Sequence, residues 1–431
     1  MLDIIHVTGY IYLSILLTLA CVLLSEYLTN QISNLEQWMT KKALPLWSTT
    51  GINPFNASVY ERLNESGQPD TNADLRTRVQ ARQIFVFSAA QSMGWMENTL
   101  PYVAGIDGFL NQYAKQGKGE VGFAHLLSHD GVIIDGKKDA YDFAFYILAC
   151  AYRYKVFHDL NALDQANKLV SHIETEFKDA SGGWLEGNYD SKYRRQNPHM
   201  HLFEAFLTCY EFTHDGKWLA KAGQIYTLFE SVFFDHKTHV IREYFDGNWN
   251  IATGHYGSIV EPGHMFEWIW LLRWYQRLSE VPVDLYCDAL YRKAMEIGCD
   301  KATFLVFDEV TANGTVINGS KRLWPITELI KASLAQAIAH PSQAAEYENN
   351  AARCISTLFS FYLDSDVTGS QLKFDVSSDD ELTHRVVDNY SGRYIDQLGA
   401  DNSVVAGHSA ASTLYHIAMA AIVAVNYRRG G

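Results

Sequence analysis

The chain has 431 residues, 48% of them hydrophobic, which is enough for one large core or for two to three average domains. A formal charge of −14 and a pI near 5.6 leave no basic stripe to follow phosphates, so nucleic acid is excluded as a natural partner. The six cysteines, at 21, 150, 209, 287, 299 and 354, lie far apart without a Cys-x-x-Cys and read as reduced core thiols of a cytoplasmic protein.

Residues 4 to 25 contain no Asp, Glu, Lys or Arg, and the run from Ile15 to Leu24 is strongly apolar. That is nearly the ~20 residues needed to span a bilayer. Asp3 stands where a basic leader would begin, and no small-residue cleavage site follows. A membrane or signal anchor and an extra docked helix both fit, so any membrane contact is expected only through 4–25. The division expected is an N-terminal extension over 1–30 and a catalytic domain over 31–431.

Amphipathic stretches of helical period then recur at about 26–48, 73–95, 98–115, 138–157, 160–176, 199–215, 216–232, 261–279, 282–299, 322–340, 342–361 and 408–427. The links alternate in length. Longer ones carry strand-like pieces with Gly turns, as in Ser128 to Val132, Tyr244 to Trp249 and Ala312 to Val316. Six helical hairpins closed into a ring produce that alternation, which predicts an all-α (α/α)6 barrel of about twelve helices with short β-hairpins in the longer loops. A solenoid would repeat similar units, and these pairs share little sequence.

The stretch from His255 to Trp274 fixes one helix start. Pro262 suits a first turn, where its missing N–H costs nothing, and Glu261 favours the positive end of the dipole. His264 and Glu267 then share a face. His201 opens another helix, in Asn197 to Ala205, and His416 lies on the last one; each faces an apolar helix body. A hydrogen-bonded core histidine is the plain reading of any one alone, and it is their recurrence on helices of one kind that points to chemistry. His199 and His201 spell His-x-His, but residues two apart on a helix do not face each other, which weakens a zinc pair. The pairs His201/Glu204 and His264/Glu267 also allow a di-metal reading, which would need further inward carboxylates.

Polar groups suited to a sugar surround these. Arg82 sits on a helix whose neighbours look buried, so its guanidinium needs a partner or a ligand. Trp324 offers a face to a pyranose, with Glu328 four residues on along the same side, and Tyr141 is a wall or a core residue. There is no Gly-x-x-x-x-Gly-Lys-Ser/Thr, Gly-x-Gly-x-x-Gly or Gly-x-Ser-x-Gly, so neither a nucleotide cofactor nor a serine-hydrolase elbow is indicated.

Together Val79 to Gln83, Gly183 to Gly187, Asn197 to Ala205, Glu261 to Trp268, Arg322 to Pro325 and Tyr415-His416, in this order, resemble the N-acylglucosamine 2-epimerase superfamily with its mannose isomerase and cellobiose 2-epimerase branches, over about 30–427. The resemblance implies an (α/α)6 barrel and cofactor- and metal-independent isomerisation or 2-epimerisation of an aldose through an enediol. It implies His264 and His416 as the main acid/base pair, His201 as an assistant near the ring oxygen or O1, and Arg82, Tyr141, Asn197, Glu267 and Trp324 around the sugar, to which the spacing from Trp324 adds Glu328 as a substrate-binding candidate. Glu267 would orient His264. Histidine at 201, where acylglucosamine epimerases resembling this chain carry an apolar residue, favours an unacetylated aldose.

The expected reaction is therefore mannose–fructose isomerisation of a monosaccharide by a monomer or homodimer. The runner-up is 2-epimerisation of an N-acylhexosamine or of cellobiose. Gly407 to Leu414 lacks the Lys-x-Pro of many relatives, which puts substrate contacts there in doubt. Two other classes compete: a glycoside hydrolase using two of Glu261, Glu267 and Glu328, and a sugar-binding protein without turnover.

Overall fold

The computed structural model describes residues 26–363 and 392–430. The apolar stretch 4–25 and Cys21 lie outside them. Among the described residues twelve long helices appear in the predicted places. They are α1 (26–49, with a wider turn at Met39–Ala43), α2 (Thr77–Ser92), α3 (Leu100–Tyr113), α4 (Ala140–Phe157), α5 (Leu160–His172) and α6 (Gln196–Thr213). Then come α7 (Gly216–Leu228), α8 (Pro262–Ser279), α9 (Asp284–Ile297), α10 (Trp324–Ala339), α11 (Ala344–Phe361) and α12 (Ala411–Arg428). Residues 26–30, set apart in the sequence division, belong to α1, and Leu28 is buried.

Even-numbered helices pack in the order α2, α4, α6, α8, α10, α12 and back to α2, so the inner ring closes. Each odd-numbered helix from α3 to α11 lies outside the inner helix that precedes it. α1 covers α12, where Arg428 Nη1 donates to Ser33 Oγ at 2.8 Å and Arg428 pairs with Glu36. Sequence sets the two roles. α2 is buried at every position but Arg78 from Thr77 to Ala90, as a helix with neighbours on all sides must be. α5 buries only Ala162, Ala166, Leu169 and Val170, a single stripe.

Inner-to-outer links are tight. His158 and His214 take left-handed conformations (φ 56° and 55°) that end α4 and α6, and the next residue, Asp159 or Asp215, caps the following helix with its carboxylate. The longer links return to the N-terminal ends of the inner helices and collect short strands there. Arg62–Leu63 pairs with Ser409–Ala410, tying the start of the ring to its end. The Asp130-Gly131 and Asn313-Gly314 turns form as expected, each glycine at positive φ. Tyr244–Phe245 bridges back to Ile251 but also pairs with Arg194–Arg195, so this hairpin belongs to a sheet linking the entries of α6 and α8. No helix among the described residues is long and apolar enough to cross a membrane.

Candidate active site

At the strand-bearing end, the first turns of the inner helices surround a cavity of about 320 Å3. Tyr141 of α4, Asn197 and His201 of α6, His264 and Glu267 of α8, Trp324 of α10, His416 of α12 and Arg82 of α2 all line it. Residues scattered over more than 330 positions thus meet because each stands near the start of an inner helix. Those six N-termini point positive dipole ends into one space, a setting that favours negative charge developing there. Glu328 is the exception. It does not line the cavity but lies beneath it, fully buried.

The two histidines on α8 and α12 flank Trp324. Its ring centroid is 5.1 Å from that of His264 and 5.5 Å from that of His416. Each imidazole is held by a buried carboxylate: His264 Nδ1 lies 2.9 Å from Glu243 Oε2, and His416 Nδ1 lies 2.9 Å from Glu328 Oε1. Glu267 was expected to orient His264; Glu243 does so instead. The reason is helical geometry, since Glu267 sits one turn further into the barrel while Glu243 reaches His264 from the strand-bearing loop. Glu243 stands directly before Tyr244, in a stretch where the Gly turn drew notice and the acid beside it did not.

The environments of the two imidazoles differ. Burial opposes charge on His264, but the Glu243 and Glu261 carboxylates and the Glu243 hydrogen bond outweigh it and raise its pKa to about 9. Burial also opposes charge on His416, and there the positive Arg82 and Lys331 reinforce it, holding the pKa well below the usual value. Burial keeps His201 neutral as well, at about 4, despite Glu204 Oε2 lying 3.3 Å from its Nδ1. Near neutral pH one imidazole therefore carries a proton to give and the other a lone pair to receive one.

At the cavity wall Glu267 is buried together with Glu204 and Glu328, which lie behind it. Tyr415 donates its hydroxyl to Glu204, and Lys331 Nζ lies 2.6 Å from Glu328 Oε2. Neither oxygen of Glu267 has a hydrogen-bond partner among the described residues, and burial followed by the Glu328 charge pushes its carboxyl well above the usual range. His201, Glu204 and Glu267, and likewise Glu267, Glu328 and His416, are spaced closely enough to share a cation. The positive charge among these acids is already supplied by Lys331. His199 turns away from His201, its Nε2 accepting from the Trp184 backbone N–H at 3.1 Å, so the two form no metal pair.

Arg82 has found its partners. Nη2 donates to the Tyr141 hydroxyl at 2.8 Å and Nη1 to the Ser412 carbonyl at 3.2 Å, with Phe145 4.0 Å below the guanidinium. Its Nε is buried without an acceptor among the described residues. Asn197 Nδ2 lies 3.2 Å from His264 Nε2. The sequence reading missed Asp396, and also His408, Ser412 and Thr413, which bring the Gly407 to Leu414 segment into the cavity wall. Without a Lys-x-Pro to mark the segment, only its position at the start of the His416 helix signalled it.

A family model described as N-acylglucosamine 2-epimerase (GlcNAc 2-epimerase) matches residues 59–375. The chain is 31% identical over 399 residues to the mannose-6-phosphate isomerase of Rhizobium meliloti (strain 1021), covering 90% of this chain and 95% of that one. Among solved structures it is similar to cellobiose 2-epimerase from Bacillus thermoamylovorans B4167, with a TM-score of 0.77, 18% identity and coverage of 93% of this chain and 100% of that one. It is also similar to D-mannose isomerase, with a TM-score of 0.76, 19% identity and coverage of 92% and 97%. At those identities the structural likeness shows the fold.

Proposed function

Since the chain belongs to the N-acylglucosamine 2-epimerase family, we propose that it interconverts an aldose and a ketose of the mannose–fructose type, with His416 as base and His264 as acid. The observation that carries this is the pairing of the two imidazoles across Trp324 in one sugar-sized cavity, each fixed at Nδ1 by its own carboxylate.

His416 donates Nδ1–H to Glu328, which leaves Nε2 with a lone pair to take the proton from C2 of the open-chain aldose. The electron pair of the C2–H bond moves into a C1–C2 double bond while the C1 carbonyl oxygen takes a proton from His264. This gives the enediol and leaves His416 protonated and His264 neutral. Returning the proton to C1, with loss of the O2 proton to His264, yields the ketose and restores both groups. Return to the opposite face of C2 would instead give the epimer, so one intermediate serves both reactions. General acid and base groups of this kind are typically worth ~10²–10⁴-fold each.

Arg82 and the helix N-termini would steady charge on O1 and O2, and Glu267, held protonated by burial, would donate to a substrate hydroxyl. His201, neutral, would hold the ring oxygen or O1, while Trp324 gives the sugar an apolar face. These reactions need no cofactor. The five cysteines among the described residues are free and buried, which supports a reducing, cytoplasmic setting.

The test is incubation of pure protein with mannose, fructose, glucose, their 6-phosphates, cellobiose and N-acetylmannosamine in D2O. Deuterium at C1 of a newly formed ketose, or at C2 of aldose formed from the ketose, supports isomerisation, and deuterium at C2 with only the epimer supports 2-epimerisation. Cleavage of a glycosidic bond, or no exchange with any sugar, would sink both.

A further inference from the structure

A second cavity, of about 470 Å3, adjoins the first, with Tyr141 and Asn197 lining both. Ring order decides which end of a bound sugar reaches it. His264 and His416 stand on α8 and α12, the neighbours of α10, and α4, which carries Tyr141, stands opposite α10 in the ring of six. A hexose with C1 and C2 between the histidines therefore turns its C6 end toward Tyr141 and the second cavity.

That cavity is walled by Arg78, Arg195, Lys137 and His125, with one carboxylate, Asp139, which is occupied by the Tyr189 hydroxyl at 2.7 Å and the Tyr141 N–H at 2.8 Å. Arg195 is fixed from behind by Nε, which donates to Glu186 Oε2 at 2.6 Å, and Arg78 by Nη1, which donates to Asp142 Oδ1 at 3.2 Å. Neither terminal nitrogen of Arg195, and neither Nε nor Nη2 of Arg78, donates to any described residue. Two guanidinium groups anchored on one side with donors left over are suited to the several oxygens of a phosphomonoester. A second sugar ring would call for an open aromatic face, and both tyrosines here are taken: Tyr141 by Arg78 at 5.5 Å and Arg82 at 5.8 Å, Tyr189 by Lys137 at 5.2 Å. On the other rim Arg76 is tied to Glu61 and Ser412, and Arg322 to Asp308 and Glu261.

We propose that this side pocket binds the phosphate at C6 of the substrate, which makes the substrate class a hexose 6-phosphate. The assignment rests on the isomerase reading for the orientation of the sugar. It is tested by calorimetry with open-chain probes that cannot react: mannitol 6-phosphate, mannitol, cellobiitol and inorganic phosphate. Mannitol 6-phosphate should bind about 100-fold more tightly than mannitol or cellobiitol, and Arg195→Gln should remove roughly 10- to 100-fold of that preference. Arg195→Gln strips a buried acid of its partner. Ser191→Asp, which sets a negative charge on the exposed rim of the same pocket, is therefore a second variant, and it should weaken mannitol 6-phosphate several-fold more than mannitol.

Equal binding of mannitol and its 6-phosphate, tighter binding of cellobiitol, or a preference untouched by both variants overturns the proposal. Inorganic phosphate binding as tightly as mannitol 6-phosphate also overturns it, in favour of a free-anion site. Failure of the chemistry reads differently: no deuterium exchange with any hexose, phosphorylated or not, while the binding preference for mannitol 6-phosphate persists.

Discussion

The two ends of the inner ring are made of the same six helices and could hardly differ more. At the N-terminal end the cavity is walled by four histidines, three acids and three arginines. At the C-terminal end the same helices open into a cavity of about 530 Å3 lined by Met93, Trp270, Trp274, Ile338, Met419 and Ile422. It is the larger of the two, no histidine is among its lining residues, and its charged groups are tied up, Arg277 with Glu211 and Arg273 with Asp284. The difference teaches that size does not locate chemistry in this barrel. Helix polarity does, because the N-terminal ends offer positive potential and unpaired N–H groups, whereas the C-terminal ends offer neither. Between the two lies Lys331, its ammonium 3.9 Å from the Trp270 ring on one side and 2.6 Å from Glu328 on the other.

Removing an imbedded imidazole should break that contrast most completely. His416→Ala or His264→Ala is expected to lower C2 exchange by ~10²–10⁴-fold, with the thermal midpoint showing that the barrel persists. Full exchange in either variant defeats the assignment. Next in size is Glu243→Gln. Without the carboxylate on Nδ1, burial dominates at His264 and its pKa falls from about 9. In the wild type kcat/KM should be lost as pH rises through about 9, where the acid loses its proton, with no fall near 6.5 because His416 is still neutral there. In the variant the basic limb should move down and activity at neutral pH should fall by about tenfold or more. An unmoved limb would remove His264 from the role of acid.

How much of this was legible in the sequence follows from where the information sits. The helix starts were written locally: Pro262 opens α8, and an Asp beside a left-handed His separates α4 from α5 and α6 from α7. Hence the number and order of helices could be read, and His201, His264 and His416 stood out as polar groups on helices otherwise buried on all sides. What could not be read was pairing across the ring. Glu243 reaches His264 from a loop 21 positions earlier and Glu328 reaches His416 from the neighbouring inner helix. Local spacing therefore nominated Glu267, which the fold instead leaves without a hydrogen-bond partner among the described residues. The side pocket was invisible for the same reason, since Arg78 and Arg195 lie on different inner-helix entries and each looks like an ordinary ion pair.

A smaller effect would sharpen the contrast within the N-terminal end itself. Tyr141→Phe removes the hydroxyl that accepts from Arg82 at 2.8 Å, leaving that buried guanidinium with the Ser412 carbonyl alone. One hydrogen bond to a charged group is worth about 1.5–3 kcal/mol. We expect kcat/KM to fall about tenfold, in kcat if Arg82 acts on the developing charge. A rise in KM alone would make Arg82 a binding group.

The smallest expected effect on activity comes from the other end. Leu334 is fully buried on α10, more than one turn below Glu328, and faces the apolar C-terminal cavity. Leu334→Ala should cost about 2–5 kcal/mol of stability through lost burial and a cavity left behind. At a temperature where the variant is folded, kcat/KM and the basic limb near 9 should match the wild type, because no group that sets His264 or His416 has moved. Calorimetric unfolding beside a pH–rate profile reads both. A stability loss with an intact profile separates the end that holds the barrel together from the end that moves protons. A shifted profile would mean that packing at the C-terminal end reaches the histidines through α10, by way of Glu328 and Lys331, and that the two ends work as one unit.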